Sequence, residues 1–325
     1  MTTPTTAGAA AEARPKPPQP PEPIEFDLTS EERLALAEQN GLTRMGVRPP
    51  LWSYIRDVIR HWQFIRVLGA STAYSKNQNN YLGQLWAVLN PFLNAIIYVV
   101  IFGLVLGASR GVANTVAFIV MGTFMFRFID TSVHGGARSI ASKSSLLRNL
   151  HFPRAVMPIS EVYSQLATLI PALGVMVVMV LLSGFIPAYE PVRVTWWWTL
   201  FPLAIVLLWI FNMGLAFIVA RVTAATPDMD NIISFVLRLA MFASGAIFPI
   251  TRFVDKLPPS AEWFGMVMEY QPGHVYLYLG RSMIMQEKTI PPDLTMWYWG
   301  IGWAIFTFAL GFIVFWRGEE KYGRD

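Results

Sequence analysis

Residues 166–183 read LATLIPALGVMVVMVLLS, a stretch without a charged side chain. A helix rises about 1.5 Å per residue, so about 20 apolar residues cross a hydrocarbon core of about 30 Å. Similar stretches recur between charged breaks, and we predict spans over 84–108, 113–134, 155–185, 196–221, 231–250 and 295–316. Because unpaired backbone groups are costly in lipid, each span is predicted to be helical. The sequence therefore indicates an all-α polytopic membrane protein with six transmembrane helices.

The composition agrees with this class and excludes several others. Hydrophobic residues make up 54% of the chain and charged residues 14%, which is unlike a soluble globular domain. The chain has no cysteine, which excludes disulfides and thiolate metal sites, and its histidines show no ligand spacing. The net charge of +4 is spread over loops. This distribution indicates contact with membrane lipids and no nucleic acid.

The first 67 residues hold a tail and an amphipathic helix. Residues 1–50 form a Pro-rich segment that we predict to be disordered apart from one short helix. In that segment, Thr29 followed by Glu32 matches a capping box at a helix start. Over 51–67, apolar side chains recur at helical spacing opposite charged ones: Leu51, Ile55, Val58, Ile59, Trp62 and Ile65. We predict an N-terminal amphipathic helix in the membrane interface, with a soluble core helix as the alternative.

Charged loops predict the orientation of the spans. Basic residues cluster before the first span, after the second and after the last, whereas the loops near 110 and 190 carry one arginine each. The positive-inside rule then places both termini, including residues 317–325, in the cytoplasm and 251–294 outside.

Within the predicted transmembrane domain, 84–316, residues 258–281 hold two apolar arms that are each too short to cross a bilayer. They are separated by Gln271-Pro272-Gly273. Irregular backbone at membrane depth is tolerated only where protein or water covers it. We predict a re-entrant extracellular helical hairpin between helices five and six, with a pair of surface amphipathic helices as the alternative.

Three motifs resemble a known family. Residues 74–91 read YSKNQNNYLGQLWAVLNP before span one, 146–158 read LLRNLHFPRAVMP after span two, and 243–250 read ASGAIFPI at the end of span five. In order and spacing, over about 50–322, they resemble ABC-2 type exporter permeases, although Gln271 stands where that family usually has Asn. Only about five residues separate the first two spans, which resembles the branch that exports O-antigen, teichoic acid or galactan.

This resemblance implies partners and a mechanism. The chain has no G-x-x-x-x-G-K-[ST] motif, so ATP and Mg are expected in a separate ATP-binding ABC subunit and no cofactor in this chain. The family implies a homodimer with two copies of that ATPase. The implied cargo is a polyprenyl-pyrophosphate-linked glycan, exported across the cytoplasmic membrane. The loop after span two would be the coupling helix that docks on the ATPase: Leu146, Leu147, Arg148, Leu150, His151, Phe152, Pro153 and Arg154.

Charge, aromaticity and the family motifs suggest cargo-contacting residues. Basic donors would orient a lipid pyrophosphate at a cytoplasmic entrance, and the candidates there are Arg66, Lys76, Tyr81, Gly83, Arg148 and Arg238. Sugars slide along aromatic faces, and the pathway candidates, with ordinary packing as the alternative, are Tyr98, Phe124, Phe126 and Trp209. The outer-gate candidates are Gln271, Pro272, Gly273 and Arg281. Arg127 and Asp130 are expected either to neutralise one another or to line the pathway.

Two other functions remain open from the sequence. The same architecture could export a small lipid or a drug. A membrane-embedded glycosyltransferase or phosphatase would need acidic or His residues converging at one membrane face. Asp228 and Asp230 are the close acidic pair near such a face, and we expect no basic partner beside them.

Overall fold

The computed structural model describes residues 49–76, 78, 81–83, 85–101, 111–143, 146, 150, 152–187, 189–226, 228–250, 254 and 258–319, together with 29, 32, 35, 36 and 39. Within these residues there are ten α-helices and no strand, which confirms the all-α class. The helices are α1 (Leu51–Arg60), α2 (Trp62–Ser75), α3 (Leu85–Tyr98), α4 (Thr115–Arg138), α5 (Val156–Ser183), α6 (Phe201–Ala225), α7 (Met229–Ala243), α8 (Glu262–Tyr270), α9 (Pro272–Ile284) and α10 (Leu294–Arg317).

Four helical segments of the described chain are long and apolar enough to cross a membrane. They are Thr115–Arg138, Val156–Ser183, Trp196–Ala225 and Leu294–Arg317, and they match the predicted spans two, three, four and six. Of the first predicted span, the described part is one shorter apolar helix, Leu85–Ile101. The fifth predicted span overlaps α7, which begins two residues before the predicted start at 231 and ends seven residues before the predicted boundary at 250.

The early end of α7 has a local cause. Gly245 adopts φ +71°, a left-handed conformation that glycine reaches without steric cost. The carbonyls of Gly245 and Ala246 then accept hydrogen bonds from the Arg281 guanidinium at 2.9 and 2.7 Å. The backbone that leaves the helix is therefore paired with a side chain from α9 instead of with the next helical turn. A hydropathy pattern over 231–250 contains no sign of this.

Helix α4 lies at the centre of the bundle. Every residue from 115 to 126 is buried, which is typical of a helix surrounded by protein on all sides. It packs against α5 and α6 along its length and against α9 near its beginning. Helices α5 and α10, in contrast, are mostly exposed along the apolar windows that could cross a membrane. Their exposed faces are apolar, as expected for helices that contact lipid.

The segment predicted as an interface helix is longer than predicted and is broken. Instead of one helix over 51–67, α1 ends at Arg60 and α2 continues to Ser75, with His61 between them at φ −86° and ψ 14°. Tyr54, Val58, Ile65 and Gly69 are buried. The predicted apolar side is therefore divided, because Trp52, Ile59 and Trp62 are exposed whereas Val58 faces protein. Both helices thus have one face on the bundle and another available to lipid.

The segment predicted as a hairpin contains two helices with a break at the predicted place. Helix α8 ends at Tyr270, Gln271 is extended at φ −62° and ψ 147°, and Pro272 begins α9. Pro is tolerated in a first helical turn because its missing N–H has no helical partner there. Helix α9 is deeply buried after Val275, whereas α8 is largely exposed.

The separate N-terminal unit, residues 1–45, is described at five positions. The predicted capping box is present there: Glu32 Oε2 accepts from the backbone N–H and the hydroxyl of Thr29, both at 2.9 Å. The Glu32 N–H in turn donates to Thr29 Oγ1 at 3.4 Å. Apart from Pro49 and Pro50, the rest of the predicted segment 1–50 lies outside the described residues.

Candidate functional site

A large cavity of about 890 Å³ lies among the end of α2, α3, α4, α5 and α7. Charged groups are concentrated in its wall, which is unusual inside a bundle of apolar helices. Four cationic side chains and two carboxylates line it: Lys76, Arg127, Arg138, Lys143, Asp130 and Glu161. Among these six side chains, positive charge is in surplus.

One end of the cavity is built around Glu161, which is nearly buried at the start of α5. Lys76 Nζ lies 2.6 Å from Glu161 Oε1, and Lys143 Nζ lies 3.8 Å from Oε2. Gln165, one turn further along α5, donates to Oε1 at 2.9 Å. Gly135 of α4 leaves the space that the Glu161 side chain fills, since a Cβ there would overlap it.

The pKa of Lys143 is subject to opposing influences. Burial lowers the pKa of Lys143, the Glu161 carboxylate raises it and nearby Lys76 lowers it again. Lys143 lies after α4 in a short 3₁₀ turn, Ala141–Lys143, beyond the predicted end of span two.

A chain of alternating basic and acidic side chains occupies the middle of the cavity. Arg127 lies 3.6 Å from Asp130, and His134 lies 3.7 Å both from Asp130 and from Asp230 of α7. Arg138 continues the chain with a 2.9 Å ion pair to Asp230. Mutual neutralisation of Arg127 and Asp130 is therefore confirmed as a contact on one helix face. The expectation that Asp230 has no basic partner is wrong, because α4 and α7 approach each other here.

A second cavity of about 390 Å³ shares Arg127, Asp130 and His134 with the first and extends between α3 and α7. Arg238 and the aromatic residues Tyr98 and Phe126 line it. Phe124 lines the first cavity instead. Trp209 lies on α6 and packs against apolar residues. The two cavities thus bring together Lys76, Arg238 and three of the four predicted pathway aromatics.

The other predicted contacts of the cytoplasmic entrance are more scattered. Arg66 is exposed on α2, and Tyr81 and Gly83 lie on the exposed connection to α3, where Gly83 has φ +48°. None of these three lines the two cavities described above. Arg148 lies outside the described residues.

The predicted coupling segment is described at Leu146, Leu150 and residues 152–154; Leu147, Arg148 and His151 lie outside the described residues. Leu150 is 48% exposed, so it is available to a partner. Phe152 packs against Phe64 of α2, with ring centroids 5.3 Å apart, and Pro153 is buried. Of the apolar residues expected to contact the ATPase, Phe152 therefore packs inside its own bundle, whereas Leu150 is on the surface.

Arg154 fixes the end of the coupling segment. Its backbone N–H donates to Glu319 Oε1 at 3.1 Å, and its guanidinium bonds the Glu319 carbonyl. Tyr54 of α1 donates to Glu319 Oε2 at 2.7 Å and accepts from the Ala155 N–H at 3.0 Å. Three segments that are distant in sequence thus meet directly behind the segment predicted to couple.

The predicted outer-gate residues lie around the break between α8 and α9. Gln271 donates to the Ala243 carbonyl. Gly273 packs against Ser244 so closely that a Cβ added to Gly273 would lie 2.9 Å from the Cβ of Ser244. Arg281 is 2% exposed, with its guanidinium 3.4 Å above the Phe118 ring. Gln271, Gly273 and Arg281 thus connect α9 to the turn after α7, and Pro272 begins α9.

The residues that sequence reasoning missed are Arg138, Lys143, Glu161, Asp230 and His134. Arg138 and Lys143 were visible only as part of a basic loop, and Glu161 only as a charge near the start of a span. Their shared site depends on contacts between residues as far apart as 92 positions. An acid near the start of an apolar span was the available signal, because such a residue is costly unless protein or water surrounds it.

These helices define a multi-pass membrane protein with a charged cavity between its helices, an arrangement suited to the passage of a polar cargo. A profile of the ABC-2 type transporter family matches residues 64–280, and the chain belongs to that family. The O-antigen export system permease protein RfbA of Myxococcus xanthus is 30% identical over 182 residues, which are 56% of this chain and 66% of that protein. The protein of the same name from Klebsiella pneumoniae is 26% identical over 208 residues, which are 64% of this chain and 74% of that protein.

Proposed function

We propose that this chain is the permease of an exporter that moves polyprenyl-pyrophosphate-linked polysaccharide of the O-antigen or galactan type across the cytoplasmic membrane. The observation that carries the proposal is the pair of adjoining cavities, both lined by charged residues and by α3, α4 and α7. A small lipid or drug would need no such polar route. The Myxococcus xanthus and Klebsiella pneumoniae relatives are named O-antigen export system permeases, which supports a polysaccharide as the cargo.

The proposed assembly is a homodimer with two ATP-binding ABC subunits, which supply the ATP and Mg chemistry. Arg127 lies halfway along α4, and both it and Arg238 are exposed in the single chain. A charge exposed to hydrocarbon costs several kcal/mol, of order 2.5–3.5 on insertion scales. A second copy that covers the side between α3 and α7 removes this cost and closes the cavity into a conduit.

The proposed topology has six spans, both termini in the cytoplasm and a re-entrant segment outside. The described helices α3 and α7 lie in the proposed first and fifth spans. Helices α8 and α9 form the outer cap of the conduit. The end of α9 lies inside the bundle with Arg281 bonded to backbone carbonyls, which supports a firmly held inner arm and an exposed outer arm.

The first test concerns the ATPase. The Leu150→Asp variant places a charge on an exposed apolar side chain of the coupling segment, and we expect about tenfold less ATP-binding subunit to purify with it from native membranes. Leu294→Asp, at the opposite end of the molecule and 74% exposed, is the matched control and should keep the partner.

The second test concerns the cargo. Depletion of the permease should leave lipid-linked glycan on the cytoplasmic side, and the wild-type chain should restore its export, whereas the Leu150→Asp variant should not. If the wild-type chain purifies without any ATP-binding protein, or if glycan export continues in its absence, the proposal is wrong.

A further inference from the structure

The cluster of Lys76, Lys143 and Glu161 has more donors than its carboxylate uses. An ammonium group carries three N–H donors. Among the described residues, Lys143 donates one hydrogen bond, to Thr72 Oγ1 at 3.3 Å, and its 3.8 Å distance to Glu161 is beyond hydrogen-bond reach. Two cations therefore face one anion beside an open cavity, and their unused donors point to a ligand with more negative charge than a carboxylate.

The two lysines differ in how freely they can move. The Lys76 side chain is 40% exposed, whereas those of Lys143 and Glu161 are 16% and 9% exposed. Glu161 keeps the Gln165 hydrogen bond when a lysine leaves it. Lys76, the more exposed of the two lysines, can therefore turn from Glu161 towards a ligand in the cavity, with Lys143 and the Thr72 hydroxyl already in place beside it.

A second feature indicates that the ligand has an apolar tail. A groove of about 540 Å³ adjoins the cavity, shares Ala87 and Thr168 with it, and runs between α2, α3 and α5. Its wall is mainly apolar and includes Ala70, Tyr74, Leu85, Val88 and Pro171. Tyr74 and Leu85 are about 60% exposed, so the groove opens sideways, where the bilayer would lie.

We infer that the cavity end and the groove form one two-part site for a prenyl pyrophosphate, in which Glu161 is a resident anion that the pyrophosphate replaces as the partner of Lys76 and Lys143. The prenyl chain lies in the groove and the charged group lies on the two lysines. This inference rests on the proposed function, because it specifies where the lipid carrier of the glycan binds.

The replacement predicts an unusual sign for one variant. Neutralising Glu161 removes the competing anion, so Glu161→Gln should bind ligand more tightly, by about fivefold. Lys76→Gln and Lys143→Gln should each weaken binding by about tenfold, because each removes a charge-assisted contact to phosphate. If Glu161 were only part of the scaffold, Glu161→Gln would weaken binding or leave it unchanged.

The experiment measures binding of geranylgeranyl pyrophosphate to the full chain in lipid nanodiscs, at about pH 6.5, well below the ordinary lysine pKa of about 10.4. Inorganic pyrophosphate and geranylgeraniol are the two partial ligands. The lipid pyrophosphate should bind at least about tenfold more tightly than either. Equal affinity for inorganic pyrophosphate would overturn the lipid part of the inference.

Three further variants sharpen the result. Asp57→Asn and Arg60→Gln neutralise exposed charges on α1, away from the cavity, and should leave affinity within about twofold of wild type. Ala70→Trp fills the groove and should abolish the preference for lipid pyrophosphate while keeping inorganic pyrophosphate binding. The double variant Glu161→Gln/Lys143→Gln restores the charge balance, so its affinity should return to within about threefold of wild type even if Glu161→Gln alone folds poorly.

The outcomes separate this inference from the proposed function. Binding that follows the predicted signs, together with unchanged glycan export in a depleted strain, would uphold the site and overturn the export role. Loss of export on depletion, together with Lys76→Gln and Lys143→Gln binding as wild type, would do the reverse.

Discussion

The Glu319 side chain, just after α10, connects α1 with the end of the predicted coupling segment. Its carboxylate accepts hydrogen bonds from Tyr54 of α1 and from the backbone of Arg154, the last residue of the predicted coupling segment. Trp316, one turn earlier, bonds the Pro49 carbonyl at 3.0 Å. Motion imposed on the coupling segment would therefore reach α1 and the end of α10 together, because all three share these bonds.

The ionisation of Glu319 gives a testable pH dependence. Burial raises the pKa of this carboxyl, against the opposing effects of the Tyr54 hydrogen bond, the Arg154 amide and the Arg154 charge. A group whose folded pKa exceeds its unfolded value stabilises the fold fully below the unfolded pKa, and this contribution is lost as pH rises through the folded pKa. Glu319→Gln has no such loss.

We therefore expect the melting temperature of Glu319→Gln, minus that of wild type, to increase between about pH 5 and about pH 8. The measurement is thermal unfolding of the purified chain in detergent. Glu262→Gln, which removes an exposed carboxylate of α8, serves as the control and should show a flat difference. A flat difference for Glu319→Gln as well would mean that burial does not govern this group.

At the scale of elements, two helices approach closely through small residues. A Cβ on Gly311 of α10 would overlap the Gly214 carbonyl of α6, and a Cβ on Gly214 would overlap the Thr307 carbonyl. Without water to drive association, helices in lipid rely on such close packing. The buried face of α10 follows this contact through Ala304 and Phe315.

Gly311→Leu should separate α6 from α10 and destabilise the protein by about 3 kcal/mol or more, since overpacked sites cost about 1–3 kcal/mol even where neighbours can shift. Gly302, on the same helix, faces open space, so Gly302→Leu is the matched control and should leave stability near that of wild type. The measurement is the fraction of each variant that stays monodisperse in detergent after heating. Similar survival of both variants would contradict the packing.

The elements differ in how far sequence predicts them. The starts of α4, α5 and α10 lie within two residues of the predicted spans, because hydropathy and the membrane thickness determine them. The end of α7 and the break at His61 could not be predicted, since they depend on Arg281 and on the packing of α2 against α5. The site is likewise only partly predictable from the sequence. Lys76 was predicted from its motif, whereas Glu161 and Lys143 join it from distant parts of the chain through tertiary packing.

At the scale of the whole molecule, a single chain leaves its charged cavity open on one side. Helix α7 exposes Ile232, Phe235 and Leu239, which lie at helical spacing on one face. Another face of the same helix contributes Arg238 to the cavity that also holds Arg127. Lipid can cover the apolar side chains but not the arginines, so we place the proposed second copy against α7.

The absence of cysteine from the chain makes the dimer directly testable. Single cysteines at Ile232, Phe235 and Leu239 are each treated in membranes with a short bismaleimide, and the product is identified by its mass on denaturing gels. Because the proposed interface brings these positions near their equivalents in the second copy, we expect most of the chain to become covalent dimer from at least one of them.

The controls are cysteines at Val178 of α5 and Ile305 of α10. These positions are 54% and 64% exposed, face away from the cavity and should give only background dimer. Neutralising Arg238 should leave this pattern intact, because the interface depends on the apolar face as well as on the charge. Equal crosslinking from all five positions would indicate random collisions, and dimer formed only through α5 or α10 would place the second copy on the wrong side to close the conduit.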